Sequence, residues 1–152
     1  MARSYTVDGT VTNTASATLP LLTLIGSATI RPKLYDIIIG SDATPADNAA
    51  KYVIQRCTSS GTAGSTVTPV ALDPGDPAAI AGAGLAVFSA GPILTTGYLL
   101  QMPVNQRATF RWVAAPTKEI IAAAAANNGI ALLSLVVGGS AFSTGLHISF
   151  EE

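Results

Sequence analysis

Two side chains of this sequence suit acid–base or nucleophilic chemistry, and each type occurs once. His147 is the only histidine and Cys57 the only cysteine. A nucleophilic site requires a base within hydrogen-bond reach of a serine or cysteine. In "FSTGLHISFEE" the alternation places His147 on the polar face of a strand, which indicates a surface histidine. Arg56 could lower the pKa of the adjacent Cys57 thiol, but without a histidine partner we interpret Cys57 as a small core residue.

Carboxylates are the remaining candidates for metal binding or for sugar cleavage. Zinc needs clustered Cys and His, which one residue of each cannot supply. Calcium needs several oxygen ligands; two pairs could contribute, Asp73 with Asp76 in "DPGDP" and Asp42 with Asp47 in "SDATPAD". Neither segment is a complete calcium loop, so we interpret both as turns. Spacing alone leaves open a carboxylate pair for glycoside hydrolysis, yet the aromatic residues that stack on sugars are few.

One glycine-rich stretch, "AGAGLAVF" (81–88), superficially resembles a phosphate-binding loop. It lacks the Lys-Ser/Thr that follows the glycines of such loops, and it does not lie between a strand and a helix. We predict a close-packed connection or a short strand instead. Taken together, these residues predict a protein without enzymatic activity, cofactor or metal.

Charge and hydropathy restrict the partners. The 152 residues suit one domain, and only 11% of them are charged, with a net charge of −1. A protein that binds nucleic acid normally shows a basic surplus or cluster, and the sequence has neither. The hydrophobic fraction is 49% and the mean hydropathy +0.45. We therefore expect apolar surface to be buried between subunits, that is, a homo-oligomer.

Two windows without Asp, Glu, Lys or Arg, 77–106 and 120–149, exceed the roughly 20 residues of a membrane helix. Prolines, glycines and many Ser and Thr interrupt both, so we expect no membrane span. The start, "MARSYTVDGTVTNTAS", has no apolar region typical of a secretory signal. The single cysteine fits synthesis in a reducing cytosol.

Alternation of apolar and polar residues is the dominant pattern and predicts an all-β fold. In "RATFRWV" (107–113) Phe110 and Trp112 share one face, and in the last segment Ile148 and Phe150 do the same. We expect these four to be core residues. About nine candidate strands, separated by Gly, Pro, Asp and Asn, are typical of a β-sandwich or barrel.

The stretch "KEIIAAAAANNG" (118–129) is the one candidate helix. Thr117 could cap it, alanine has the best helix propensity, and Gly129 could end it. Such a helix would be apolar on almost all sides, short, and placed between two strands. We therefore predict extended chain with a turn at Asn127-Asn128-Gly129, with the helix as the alternative.

Several long stretches resemble a group of small virion proteins of tailed bacteriophages, the capsid decoration or cement proteins. They are "RPKLYDIIIGSDATPADNAAKYVIQRCTSSGTAGSTVTPVALDPGDPAA" (31–79), "NQRATFRWVAAPTKEII" (105–121) and "NNGIALLS" (127–134). In that group the segment after "RWVA" carries Pro and Thr among its small residues, which favours extended chain; this sequence has alanines there.

The resemblance implies a jelly-roll-like β-sandwich over residues 20–152 that binds the outer face of a phage head, on the major capsid protein, as an oligomer that is expected to be a trimer. The protein would be made in the host cytoplasm and reside on the virion. The Ser/Thr/Ala-rich residues 1–19 would suit an extended arm that orders on the capsid; the alternative is a frayed terminus. A competing interpretation is a β-sandwich head of a tail fibre or adhesin that binds host-surface carbohydrate, which should present clustered aromatic residues.

Overall fold

A computed structural model describes residues 2–152, and within that range the chain forms twelve β-strands and no helix. The strands are β1 (Ser4–Asn13), β2 (Leu22–Ile25), β3 (Lys33–Ala43), β4 (Ala49–Cys57), β5 (Ser65–Val67), β6 (Val70–Ala71), β7 (Gly82–Leu85), β8 (Leu100–Asn105), β9 (Phe110–Val113), β10 (Ile120–Ile121), β11 (Gly129–Val137) and β12 (Phe142–Glu151). The prediction of an all-β fold is confirmed.

The strands form two antiparallel sheets of six. Sheet A has the order β10-β3-β12-β1-β6, and β9 pairs with β3 along the same edge as β10. Sheet B has the order β5-β7-β2-β11-β4-β8. The longest ladder joins β1 to β12 from Ser4 opposite Glu151 to Asn13 opposite Phe142. The first and last strands of the chain therefore lie side by side in the middle of sheet A.

One apolar core fills the space between the sheets, as in a β-sandwich. Alternate residues of each strand face it, because successive side chains of a strand point to opposite sides. The rings of Tyr5 and Phe150 stack within it with centroids 5.6 Å apart. The largest fully buried side chains are Tyr5, Tyr52, Phe88, Phe150, Leu24, Leu34, Ile37, Ile39, Ile54, Met102, Leu132 and Leu133.

The four expected core residues divide into two classes. Ile148 and Phe150 are buried, as predicted. Phe110 and Trp112 do face the core but are only half-buried. The reason is their position: β9 is an edge strand, so nothing flanks these side chains on the open side of the sheet.

The expected extended arm over residues 1–19 is wrong for residues 4–13, which form β1. Tyr5, Val7 and Val11 point into the core and are at most 4% exposed. The alternation of these residues with Thr6, Asp8 and Thr10 is the ordinary pattern of a strand with one buried face. The domain boundary at residue 20 is therefore wrong as well, because the core begins at β1.

The alanine stretch is not helical, as predicted, but it is extended only at its start, and the turn lies at 125–128 rather than at 127–129. Ile120 pairs with Leu34 and Ile121 with Lys33 of β3. Bends follow at Ala124 and Ala125, and then a turn, in which the Asn128 backbone amide donates to the Ala125 carbonyl over 3.2 Å and Asn127 adopts a positive φ of 66°. Asn tolerates this left-handed conformation better than most residues. Ala122 is fully buried, and the Gly26 amide donates to the Asn128 carbonyl over 2.8 Å. Small side chains allow the segment to lie close to its neighbours.

Candidate functional site

The outer face of sheet A carries the polar side chains of three central strands. The register places Asp8 opposite His147, and Thr10 opposite Gly145 and then Gly40. Because Gly40 and Gly145 have no side chains, a shallow depression of about 410 Å³ opens above them. Its lining includes both glycines, Asp8, Thr10, Asp42, Thr109 and His147.

His147 lies on the polar face of β12, as predicted, and is half-buried. Its Nε2 lies 3.2 Å from the Ser149 hydroxyl, which is the nearest approach to a base–nucleophile pair in the chain. Asp8 is opposite His147 in the ladder but makes no side-chain hydrogen bond to it within residues 2–152. A catalytic histidine needs a group that fixes its orientation, and this one faces an open sheet surface.

The remaining polar contacts of the depression are local. The Thr10 hydroxyl donates to Asp42 over 3.3 Å. Alternation along β1 identifies Asp8 and Thr10 as outward-facing, yet the sequence gives no indication that they meet His147 and Asp42. That grouping depends on which strands are neighbours in sheet A.

The aspartates considered as calcium ligands lie in local hydrogen-bonded structure. Asp73 accepts from the Gly75 amide over 2.8 Å, and the Asp76 amide donates to the Asp73 carbonyl over 3.0 Å, so "DPGDP" is a turn, as predicted. Asp42 lies within β3, which corrects its assignment to a turn, and Asp47 accepts from Asn105 over 2.6 Å. The described chain contains no cluster of three His, Cys, Asp or Glu able to hold a metal.

Cys57 is a core residue, as predicted. It belongs to a small apolar cluster with Val53, Ala131 and Leu133 on the far side of sheet B from the main core. Burial raises the pKa of the Cys57 thiol from 9.0 to about 11, a change that the hydrogen bond with the Gly129 backbone only partly opposes. Arg56 therefore does not activate this cysteine.

The glycine-rich stretch 81–88 contains the short strand β7, which confirms the prediction of a short strand. Gly84 packs so closely against its neighbours that an added Cβ would lie 2.8 Å from Ala63 Cβ and 2.9 Å from the Thr23 hydroxyl. Gly84 thus serves close packing in sheet B, whereas an added Cβ at Gly82 would meet nothing within 4 Å.

An ion pair joins two strands at the edge of sheet A. Arg111 of β9 donates from Nη2 to Asp36 over 2.6 Å, and its Nε lies within 3.2 Å of both carboxylate oxygens. The hydrogen bond and then the charge of Asp36 raise the pKa of Arg111. Asp36 is buried, so this bidentate contact supplies the partner that a buried carboxylate needs.

Large apolar side chains are exposed at two places outside the core. Val70, Leu72 and Ile80 lie on and after the edge strand β6 and are 62%, 58% and 55% exposed. We call them the β6 group. The second set lies in the connection between β7 and β8 and comprises Val87, Ile93, Tyr98 and Leu99. We call it the β7–β8 group. Single exposed apolar residues are common on protein surfaces; here seven lie in two segments, 70–80 and 87–99.

Within residues 2–152 no helix is long and apolar enough to cross a membrane. Comparisons with protein-family models, with curated proteins and with solved structures found no match.

Proposed function

We propose that this protein is a capsid decoration protein, which binds the outer surface of a phage head as a homo-oligomer and stabilises it. The observation that carries the proposal is the exposure of the β6 and β7–β8 groups on a chain with 11% charged residues. Burying apolar area stabilises an interface by about 25 cal/mol per Å². The binding partner is the major capsid protein, and the resemblance implies a trimer on the capsid.

The connectivity supports a jelly-roll form of the β-sandwich. In sheet A the neighbours run β1, β12, β3, β9, and in sheet B they run β2, β11, β4, β8. Pairing therefore proceeds inward from the two ends of the chain and alternates between the sheets, which is how a jelly roll is wound. Jelly rolls are common among viral capsid domains and lectins.

The stretches that resemble decoration proteins fall on strands of both sheets. Residues 31–79 contain β3 and β4, residues 105–121 contain β9 and β10, and residues 127–134 contain the first part of β11. The resemblance thus bears on the framework of both sheets and not on one loop. It supports a structural role rather than a particular contact with the capsid.

The absence of enzymatic activity is part of the proposal. It is supported by the burial of Cys57, by the lack of a carboxylate oriented on His147, and by the open shape of the depression on sheet A. Catalytic sites are usually concave and exclude water from the reacting groups.

A carbohydrate-binding head of a tail fibre or adhesin is the second candidate. The depression with Asp8, Thr10, Asp42 and His147 favours it, since carboxylates and hydroxyls can bind sugar hydroxyls. Sugar-binding sites generally add an aromatic platform. Tyr98 of the β7–β8 group is the only exposed aromatic residue in 2–152, and it does not line the depression. The capsid role is therefore preferred.

The test is to measure virion copy number by mass spectrometry and then to add purified protein to capsids that lack it. Hundreds of copies per virion and a raised temperature of capsid disruption are expected, whereas a fibre head would be present in a few copies. Because the surface is weakly charged, binding should persist when salt is raised, unlike binding of a basic protein. Protein that neither binds nor stabilises such capsids would contradict the proposal.

A further inference from the structure

Strand β9 leaves one of its edges without a partner. The Ala114 amide donates to the Tyr35 carbonyl over 2.8 Å, which sets the phase of the ladder. In an antiparallel pair, residues alternate between exchanging hydrogen bonds with the partner and directing them away. Phe110 and Trp112 therefore bond to β3, and the backbone groups of Arg111 and Val113 point outward. Nothing in residues 2–152 accepts a hydrogen bond from either outward amide.

In contrast, the edge of sheet B on the same side of the molecule, strand β8, carries a proline that opposes pairing with another chain. Strand β8 pairs with β4, and the Gln106 amide bonds to the Asn48 carbonyl over 2.9 Å, so Pro103 occupies a position that faces away from β4. Proline has no amide proton, and natural edge strands use it to prevent pairing with other chains. β9 has no proline, and its register with β3 is continuous.

The side chains of β9 are also incompletely covered. Phe110 and Trp112 pack against the core from one side only and are half-buried, and Val113 is 55% exposed on the outer face. Arg111, the charged side chain of this strand, bends back onto Asp36 and therefore leaves the open edge uncovered. An added strand would satisfy the outward backbone groups and cover the apolar side chains together.

We propose that β9 pairs antiparallel with β9 of a second copy of this chain, about a two-fold axis at Trp112. In this register Arg111 faces Val113 of the second copy, and the two Trp112 rings meet as a non-hydrogen-bonded pair, the closer type of cross-strand pair. A slip that centres the axis on Arg111 would place like charges directly opposite one another. A slip the other way would run β9 into the turn at Pro116.

Self-complementarity is what selects a second copy as the occupant. Sheet A would continue across the axis, and the arginine of each copy would cover the exposed valine of the other. A two-fold contact uses the same patch on both partners, whereas a trimer needs two different patches. This contact is therefore additional to the one that would close a trimer, and it does not rest on the capsid role.

The first test compares Val113→Pro with Gln101→Pro by light scattering. Both prolines replace outward-facing residues of an edge strand, and neither removes a hydrogen bond within the chain. The wild-type particle should contain an even number of chains, Val113→Pro should halve its mass, and Gln101→Pro should leave it unchanged. A wild-type mass of one or three chains at all concentrations, or an unchanged mass in folded Val113→Pro, would overturn the proposal.

Charge substitutions at the same position test the register and do not require proline to be tolerated. Val113→Lys sets a like charge opposite Arg111 of the other copy and should weaken self-association roughly tenfold, whereas Val113→Glu should preserve or strengthen it. Trp112, the only tryptophan, should show a concentration-dependent blue shift of emission that Val113→Lys abolishes. Equal behaviour of the lysine and glutamate variants would overturn the register.

Discussion

The hydroxyl of Tyr52, on sheet B, lies 3.2 Å from the hydroxyl of Thr144, on sheet A, and both residues are buried between the sheets. The Tyr52 oxygen also accepts a hydrogen bond from the side-chain amide Nδ2 of Asn13 over 3.2 Å. Two hydrogen bonds that share the Tyr52 hydroxyl thus join β1, β4 and β12 inside a largely apolar core. Within residues 2–152 no buried side-chain nitrogen or oxygen lacks a partner.

Tyr52→Phe should destabilise the fold by about 1–3 kcal/mol, because it leaves the amide of Asn13 and the hydroxyl of Thr144 buried without their common partner. Urea unfolding monitored by circular dichroism measures the difference. Tyr98→Phe is the matched control, since Tyr98 is 44% exposed and should change stability little. Equal stability of the two variants would show that the buried hydroxyl contributes nothing.

Val7→Ala should cost about 1–3 kcal/mol, since Val7 is 1% exposed and its truncation opens a cavity in the core. Thr6→Ala, on the outer face of the same strand, should cost less than about 0.5 kcal/mol. Deleting residues 2–18 removes the ladder with β12 and should abolish cooperative unfolding. A truncated protein that still melts cooperatively would restore the interpretation of this segment as an arm.

Trp112→Ala should cost less than Phe150→Ala, because Trp112 is half-buried at an edge and Phe150 is fully buried. A buried aromatic truncated to alanine costs about 3–5 kcal/mol; we expect that loss for Phe150 and about 1–3 kcal/mol for Trp112. Denaturant unfolding below the concentration of self-association compares them. A larger loss at Trp112 would contradict its edge position.

The stability of the protein should fall between pH 9 and pH 11 in a way that depends on Cys57. Its pKa is raised to about 11 by burial, so the folded state retains the thiol proton while the unfolded state loses it near its ordinary pKa. The stabilisation is complete below the unfolded pKa and disappears as the pH rises through the folded one. The loss should reach about 2–3 kcal/mol at pH 11.

Cys57→Ala supplies the comparison for this pH dependence, because Tyr and Lys groups titrate in the same range in both proteins. The difference in unfolding free energy between wild type and variant should narrow by about 2–3 kcal/mol from pH 8 to pH 11. A difference independent of pH would mean that the thiol is not buried. Thiol reagents at neutral pH should likewise label the unfolded protein much faster than the folded one.

Removal of divalent cations should leave the melting temperature unchanged. Asp73 and Asp76 already accept hydrogen bonds or pair with Arg3, and Asp47 accepts from Asn105. A calorimetric scan with and without a chelator checks this expectation. A drop of several degrees would indicate a cation bound by these carboxylates.

Much of the local structure was predictable because it depends on neighbours in the chain. Alternation placed Ile148 and Phe150 on the buried face, and the same pattern placed His147 on the other. The alanines of 122–126 are not helical, because an all-apolar helix has no place between two strands; instead they lead from β10 through bends into a turn. The burial of Cys57 was predicted because the sequence offers this cysteine no partner histidine.

What tertiary structure alone decided is which strands are neighbours. The polar, Ser/Thr-rich composition of residues 2–19 suggested an arm, but ten of those residues pair with the last strand and complete the core. Asp8, Thr10, Asp42 and His147 are far apart in sequence, and only the order of β1, β12 and β3 brings them to one depression. Trp112 lost part of its burial for the same reason: alternation fixes the face of a residue, whereas the position of its strand within the sheet fixes how much of that face is covered.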